Sequence, residues 1–383
     1  MAGTLDTVNG GLSTVRVSAI ESLPRIAWAA GLDVSVPLDI AAALAGDGKP
    51  QATSIASRLP EAGGAVDAVR LRAAFTPFPP TSSRLPFSYQ SVPLPVRTLI
   101  GHALGRLQRR QVASWAAFPR WPLDLSADFV ADLCGADPSP FADGPTPVLL
   151  SHDIDTGEGL QNLVPRFLPI EESVGARSSN YIVPCSWPID HALLAETSKR
   201  GHEIGIHGYD HSNRTPFADA AELRERIEAA RPLVERYGIT GYRAPSLLRT
   251  HALLQNLEGL YRYDSSIPTS GGLFPVPNNG CATARPFPLG KLIEIPLTMP
   301  RDGSLRFLGH SPDEILSIWK QCAHMIAASG GVVSLLTHCE DRFTGNQPML
   351  STYRQFLEYV AADRNYAFAT PAQILERLTV DIS

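Results

Sequence analysis

The stretch Pro147–Gly159, PVLLSHDIDTGEG, decides how the rest of the chain is read. Val148, Leu149 and Leu150 form an apolar run of the kind that a buried strand carries, and the run ends in two carboxylates, Asp153 and Asp155. Side chains alternate along an extended chain, so residues two apart point the same way and the two aspartates converge. Like charges that close repel. Either a cation relieves the repulsion or one carboxylate has a raised pKa. A DxD pattern by itself is equally well a pair of solvated loop residues, so its meaning depends on what the other strand ends carry.

Downstream, short apolar runs alternate with amphipathic stretches, the pattern of an α/β domain with a mostly parallel sheet. Strands are predicted at 148–153, 180–183, 203–207, 241–243, 261–265, 292–295, 332–337 and 366–369, a number that suggests a barrel. Ser311-Pro312-Asp313-Glu314 reads as a helix start: Ser caps, Pro takes the first turn and Glu completes a capping box. Ile315, Ile318, Trp319, Cys322 and Ile326 then share one face. A second helix is predicted from Thr215-Pro216 through Leu223, Ile227, Leu233 and Tyr237 to Gly238. Residues 158–173 and the proline-rich 270–290 read as loops that bear on substrate choice.

Each further polar cluster stands at the C-terminal end of a predicted strand, where barrel enzymes assemble their sites. In GHEIGIHGYDH, Ile204 and Ile206 alternate with polar residues before His207 and His211. A spacing of four puts two imidazoles on one face of a helical turn, within reach of one ion. In a chain with ten histidines, an HxxxH pair alone is a weak signal. In GYRAPS, Arg243 ends a short strand and could hold a carboxylate by a bidentate contact, or simply be a structural ion pair. In VVSLLTHCED, a buried strand runs into His338, well placed as a proton donor. Neighbouring Cys339 points to the opposite face, which argues against a Cys–His nucleophile.

Composition sets outer bounds. With 383 residues, 44% of them hydrophobic, the chain can bury a sizeable core. A net charge of −5 gives no global basic field and argues against nucleic acid as a partner. Five cysteines form no CxxC pair and fit reduced thiols. The first residues, MAGTLDTVNGGLSTVRV, lack the basic start and apolar run of a secretory signal, so a cytoplasmic location is expected. The first third differs from the rest. TPFPPTSSRLP at 76–86 reads as a linker, and no acidic residue occurs from Ala68 through Leu123. Within that basic stretch, Val96, Leu99, Ile100, Ala103, Leu104 and Leu107 recur at helical spacing, with Arg97, Arg106, Arg109 and Arg110 elsewhere on the wheel. Such a helix over 96–111 either packs on the catalytic domain or makes a peripheral membrane contact.

In this order and spacing the four clusters resemble the polysaccharide deacetylase superfamily, the NodB-homology fold of carbohydrate esterases, over about residues 146–383. The resemblance implies a distorted (β/α) barrel of seven to eight strands. Ahead of it stand an N-terminal accessory region at 1–90 and a linker with the basic helix at 91–145. It further implies Asp153 as catalytic base, Asp155, His207 and His211 as ligands of one divalent transition metal, Arg243 as the steadying partner of the base, and His338 as catalytic acid. The backbone N–H of Tyr209 is expected at the oxyanion. Zinc is the expected metal, with cobalt, nickel and iron as alternatives. The reaction implied is hydrolysis of an N-acetyl or N-formyl amide on an amino sugar or related small molecule.

Several positions depart from the common pattern. Ile154 separates the two aspartates, so their base and ligand roles could be exchanged; Gly208 follows His207 in place of Ser or Thr; Ser246 replaces an aromatic; and IEIPLTMP lacks a tryptophan. These departures weaken the case for a polymeric substrate. DIDTGEG followed by VPRFL, with HEIGIHGYDH, is closer to the branch containing the deformylase of lipid-linked formamido-arabinose. Two other readings stay open: a hydrolase of a non-sugar linear or cyclic amide, and an inactive barrel that only binds.

Overall fold

The Pro147 run forms the centre of the sheet. In the computed structural model, which describes residues 143–271 and 280–380 continuously, the helix at 92–115 and shorter pieces within 66–84 and 123–141, strand β1 (Thr146–Ile154) is buried along its whole length. Two three-residue strands, Thr14–Arg16 and Ser35–Pro37, are also described and pair with each other. Strand β2 spans Ser178–Ile182, β3 Glu203–His207, β4 Gly241–Arg243, β5 Tyr263–Asp264, β6 Phe287–Leu289, β7 Leu292–Glu294, β8 Val333–His338 and β9 Tyr366–Phe368. Their order is β8-β1-β2-β3-β4-β5-β7-β6, with β9 added to the start of β1. All neighbours are parallel except β6 with β7. No pairing joins β6 to β8 among the described residues, so the sheet curls into a half-barrel, the distorted (β/α) barrel that the sequence predicts.

Alternation along β1 sorts its side chains into two layers. Val148, Leu150 and Ile154 join the main core with Phe167, Trp319 and Phe356 from the helices. Leu149 packs in the second core with Tyr181, Tyr263, Ile295 and Val332. Ser151 and Asp153 continue on that same side, so an apolar floor lies beneath the polar groups at the strand ends.

Every predicted strand forms, with small differences at its ends. Besides the short pair Thr14–Arg16 and Ser35–Pro37, the sequence reading misses β6, because Pro286 and Pro288 make its segment look like a loop; it is an antiparallel partner at the end of the sheet, where a strand tolerates proline. Residues 158–173 are not a loop either. They form α2 (Gly157–Asn162) and α3 (Leu168–Ser173) joined by a π-turn at Leu163–Phe167, and they bury Leu160, Leu163, Phe167 and Leu168. The capping box at Ser311 is present and opens helix α9 (Pro312–Ala328), whose predicted face is buried. The single helix expected over 215–238, between α4 (His191–Lys199) and α7 (His251–Leu257) in the chain, divides into a 3₁₀ turn at Thr215–Phe217, α5 (Ala220–Glu228) and α6 (Arg231–Tyr237). Asp219 caps a new start and Pro232 opens another, whereas Gly238 ends the last piece in the left-handed conformation as predicted.

Helix α1 (Leu94–Trp115) covers the predicted basic segment, but the face it buries is not its leucine stripe. Leu99 is 70% and Leu107 72% exposed, whereas Gly101 and Gly105 are buried against helix α8 (Asp302–Phe307). A Cβ on Gly101 would come within 2.7 Å of the Phe307 ring, and one on Gly105 would fall on the Phe307 carbonyl. Two glycines four apart therefore let the helices approach closely. Farther back, Leu123 and Leu125 enter the main core, and Asp128 accepts hydrogen bonds from Thr283 Oγ1 and the Ala284 N–H. No described helix is long and apolar enough to cross a membrane.

Candidate active site

Strand register brings the four clusters to one end of the sheet. His338 at the end of β8 stands opposite Asp153 on β1, and His207 at the end of β3 stands opposite Arg243 on β4. Asp153, Asp155, His207, His211 and His338 line one cavity.

One ligand atom each from Asp155, His207 and His211 lie within 4.8 Å of one another. His207 Nε2 is 3.5 Å from Asp153 Oδ2 and 3.6 Å from Asp155 Oδ1, and His211 Nε2 is 3.2 Å from Asp155 Oδ1. His207 Nδ1 donates to the Arg243 carbonyl at 3.0 Å, which fixes the tautomer and leaves the Nε2 lone pair pointing inward. Burial, with the neighbouring His211 adding to it, lowers the His207 pKa to about 4, so this imidazole is neutral at pH 7. Asp155 Oδ1 is buried and accepts no hydrogen bond of good geometry. Two imidazoles and an orphaned carboxylate oxygen are the donor set that zinc, cobalt, nickel or iron takes, so these residues fit such an ion.

The two histidines meet by a route different from the one their spacing suggests. They do not share a helical turn: His207 ends a strand, Gly208 turns in the left-handed region at φ 66°, and His211 and Asn213 are also at positive φ. A Cβ at 208 would strike the Pro245 ring, so both conformation and space require glycine where Ser or Thr is common. The tight loop then returns His211 to place, with its ring centre 5.1 Å from that of His207.

Asp153 is held from the other side. Arg243 is fully buried; its Nη1 donates to Asp153 Oδ1 at 2.9 Å and to Ser151 Oγ, while Nε and Nη2 donate to the carbonyl and hydroxyl of Ser265. The contact to the carboxylate is thus one-pronged rather than bidentate, since the remaining donors anchor the guanidinium to the sheet. It also stacks 3.9 Å from the Tyr181 ring centre. Burial would raise the Asp153 pKa, but His207 and Arg243 together outweigh it and hold the group below the usual carboxylate range.

His338 is oriented by a residue that sequence reasoning missed. Asp302, at the start of α8, accepts from His338 Nδ1 at 2.8 Å with Oδ1, and from the His338 N–H and Thr344 Oγ1 with Oδ2. Burial opposes the charged imidazole, yet Asp302 wins and lifts the His338 pKa to about 9. Glu340, also unforeseen, is buried near Asp155; burial and that neighbouring charge push its pKa up to about 7, and Thr156 donates to it. An acidic residue just after the apolar run that ends at Met299 was the available signal for Asp302. For Glu340 it was the second position after His338. The Tyr209 ring lies beneath the Arg226 guanidinium at 4.9 Å. Cys339 is buried in the main core and its pKa is raised by burial, so it lies away from the cavity as the strand alternation implied.

No protein-family model matches the chain, and no curated protein matches it. Solved structures do. A probable polysaccharide deacetylase from Pseudomonas aeruginosa PAO1 is 15% identical, with 68% of this chain and 99% of that one covered at a TM-score of 0.50. An allantoinase is 19% identical, with coverages of 68% and 98% and a TM-score of 0.48. The chain has the fold of the polysaccharide deacetylases. At these identities the likeness is one of fold.

Proposed function

We propose that this chain is a metal-dependent hydrolase that removes an acetyl or formyl group from the nitrogen of an amino sugar or related small molecule. One observation carries the reading: a three-residue donor set of Asp155, His207 and His211 lies between an arginine-held carboxylate, Asp153, and an aspartate-held imidazole, His338. A divalent ion held by the donor set would polarise the amide carbonyl and acidify a water.

Asp153, kept ionised by Arg243, takes a proton from the attacking water as its oxygen adds to the amide carbon. His338, protonated at neutral pH because of Asp302, gives its Nε2 proton to the nitrogen as the C–N bond breaks. The products are a carboxylate and a free amine. Arg243 favours Asp153 as the base, and contact with both imidazoles favours Asp155 as the ligand. The sequence resemblance to the branch that includes the lipid-linked formamido-arabinose deformylase supports a single sugar over a polymer. The Tyr209 N–H is assigned to the oxyanion by that resemblance alone.

A panel of N-acetyl and N-formyl sugars, with a ureide as comparison, tests the substrate class. Chelator-sensitive release of acetate or formate from a sugar is expected. Turnover of the ureide alone would transfer the same residues to a non-sugar amide.

A further inference from the structure

The charges around the cavity do not match a neutral sugar. Arg306 and Arg342 line a space of about 620 Å³ together with Arg97 and Arg301, which have polar partners of their own, and the carboxylates Asp153 and Asp155. Both carboxylates are already engaged, Asp153 by Arg243 and Asp155 by the two ligand histidines and Arg342. A divalent ion would add two further positive charges. A cavity of this size takes a small molecule, and Ile100 and Leu104 of α1 add apolar lining to it.

Two of the arginines are set up as anion donors. Arg306 Nη1 donates to the carbonyls of Arg342 and Phe343, which fixes that turn at the cavity wall without neutralising the guanidinium. The Arg342 guanidinium carbon sits over the Phe343 ring, 4.6 Å from its centre, and Arg342 Nη2 is 3.6 Å from Asp155 Oδ2. Its Nε is buried with no acceptor among the described residues. A buried donor without an acceptor is costly, and a planar guanidinium held on an aromatic face suits an oxyanion.

We infer that the substrate carries an oxyanion, a carboxylate or a phosphate ester, close to the scissile amide, and that Arg342 and Arg306 recognise it. Arg342 stands beside Asp155, so the anionic group lies next to the amide rather than at the far end of the molecule. The inference rests on the hydrolase reading and narrows its substrate.

The test is calorimetric titration of metal-loaded protein with inorganic phosphate, acetate and neutral acetamide. Wild type, Arg342→Gln, Arg342→Lys and the surface control Arg224→Gln are compared, with metal content and Tm measured for each. Arg342→Gln should weaken phosphate or acetate at least 10-fold at unchanged metal content and fold, Arg342→Lys should recover part of the loss, and Arg224→Gln should match wild type. A preference for phosphate or for acetate names which oxyanion is meant. Equal anion affinity in wild type and Arg342→Gln overturns the inference, because binding would then be to the metal alone. So does chelator-sensitive turnover of neutral N-acyl sugars that is unaffected by Arg342→Gln, an outcome that leaves the hydrolase standing. If Arg342→Gln loses metal or fold, Arg306→Gln decides, by the same 10-fold criterion. Arg342-dependent anion binding without amide turnover would instead overturn the hydrolase and keep the anion site.

Discussion

His338 and Asp302 share two hydrogen bonds, ring to carboxylate at 2.8 Å and backbone N–H to carboxylate at 2.9 Å. The pair fixes both the tautomer and the charge of the imidazole, because a proton on Nδ1 toward Asp302 leaves Nε2 to face the cavity.

Removing the charge of Asp302 should move a pH limb. Asp302 raises the His338 pKa to about 9, so the donor is protonated below that pH and lost above it. In Asp302→Asn the alkaline limb of kcat/KM should shift to lower pH, with kcat at pH 8 falling by about 10²-fold and metal content unchanged. An unmoved limb would detach His338 from the proton transfer.

The two aspartates should separate by readout. Asp155→Ala should lose metal and activity together. Asp153→Asn should keep the metal while activity falls by about 10²–10⁴-fold. Retention of metal by Asp155→Ala and its loss in Asp153→Asn would exchange the two roles.

Arg243 should be needed for stability as well as for chemistry. It is fully buried, and truncation to Met leaves Asp153 as an uncompensated buried charge, at a cost of about 3–5 kcal/mol. Urea unfolding should show this loss in Arg243→Met and a clearly smaller one in Arg243→Met with Asp153→Asn, since the two residues are coupled. Additive losses would contradict the pairing.

Behind β1, Glu171 accepts from the Tyr353 hydroxyl and is 2.7 Å from His152 Nε2, with His202 also within 3.4 Å. Burial raises its pKa, but His152 and the hydrogen bonds pull it well below 4.5. A depressed carboxylate stabilises the fold above the unfolded pKa, and the contribution fades as pH falls toward the folded value. Glu171→Gln should therefore cost about 3 kcal/mol at pH 7 and give a flatter stability curve below pH 4.5 than wild type. Parallel curves would show that Glu171 is not ionised in the fold.

The legibility of this chain follows the range of its interactions. β1 and β8 are legible because each carries a local apolar run and β3 because Ile204 and Ile206 alternate with polar residues, and strand alternation places Asp153 with Asp155 without any tertiary knowledge. β6 escaped because its prolines disqualify a strand unless its position at the end of the sheet is known. His207 and His211 come together, but through a tight loop and not the helical turn their spacing suggests, since Gly208 needs Pro245, far away in sequence, to explain it. Asp302 was invisible for the same reason: its partner His338 is 36 residues away. The leucine stripe of α1 does not reveal the face that packs on α8, because close helix packing selects glycine, and a hydrophobic pattern does not record it.

The most direct test of the hydrolase is metal stoichiometry, measured by elemental analysis on wild type and Asp155→Ala, with acetate and formate release followed on the same samples. About one equivalent of a transition metal in wild type, none in Asp155→Ala, and release abolished by chelator and restored by Zn²⁺ or Co²⁺ are predicted. No metal in either protein, with no release after metal addition, would contradict the account and leave a barrel that binds without catalysis.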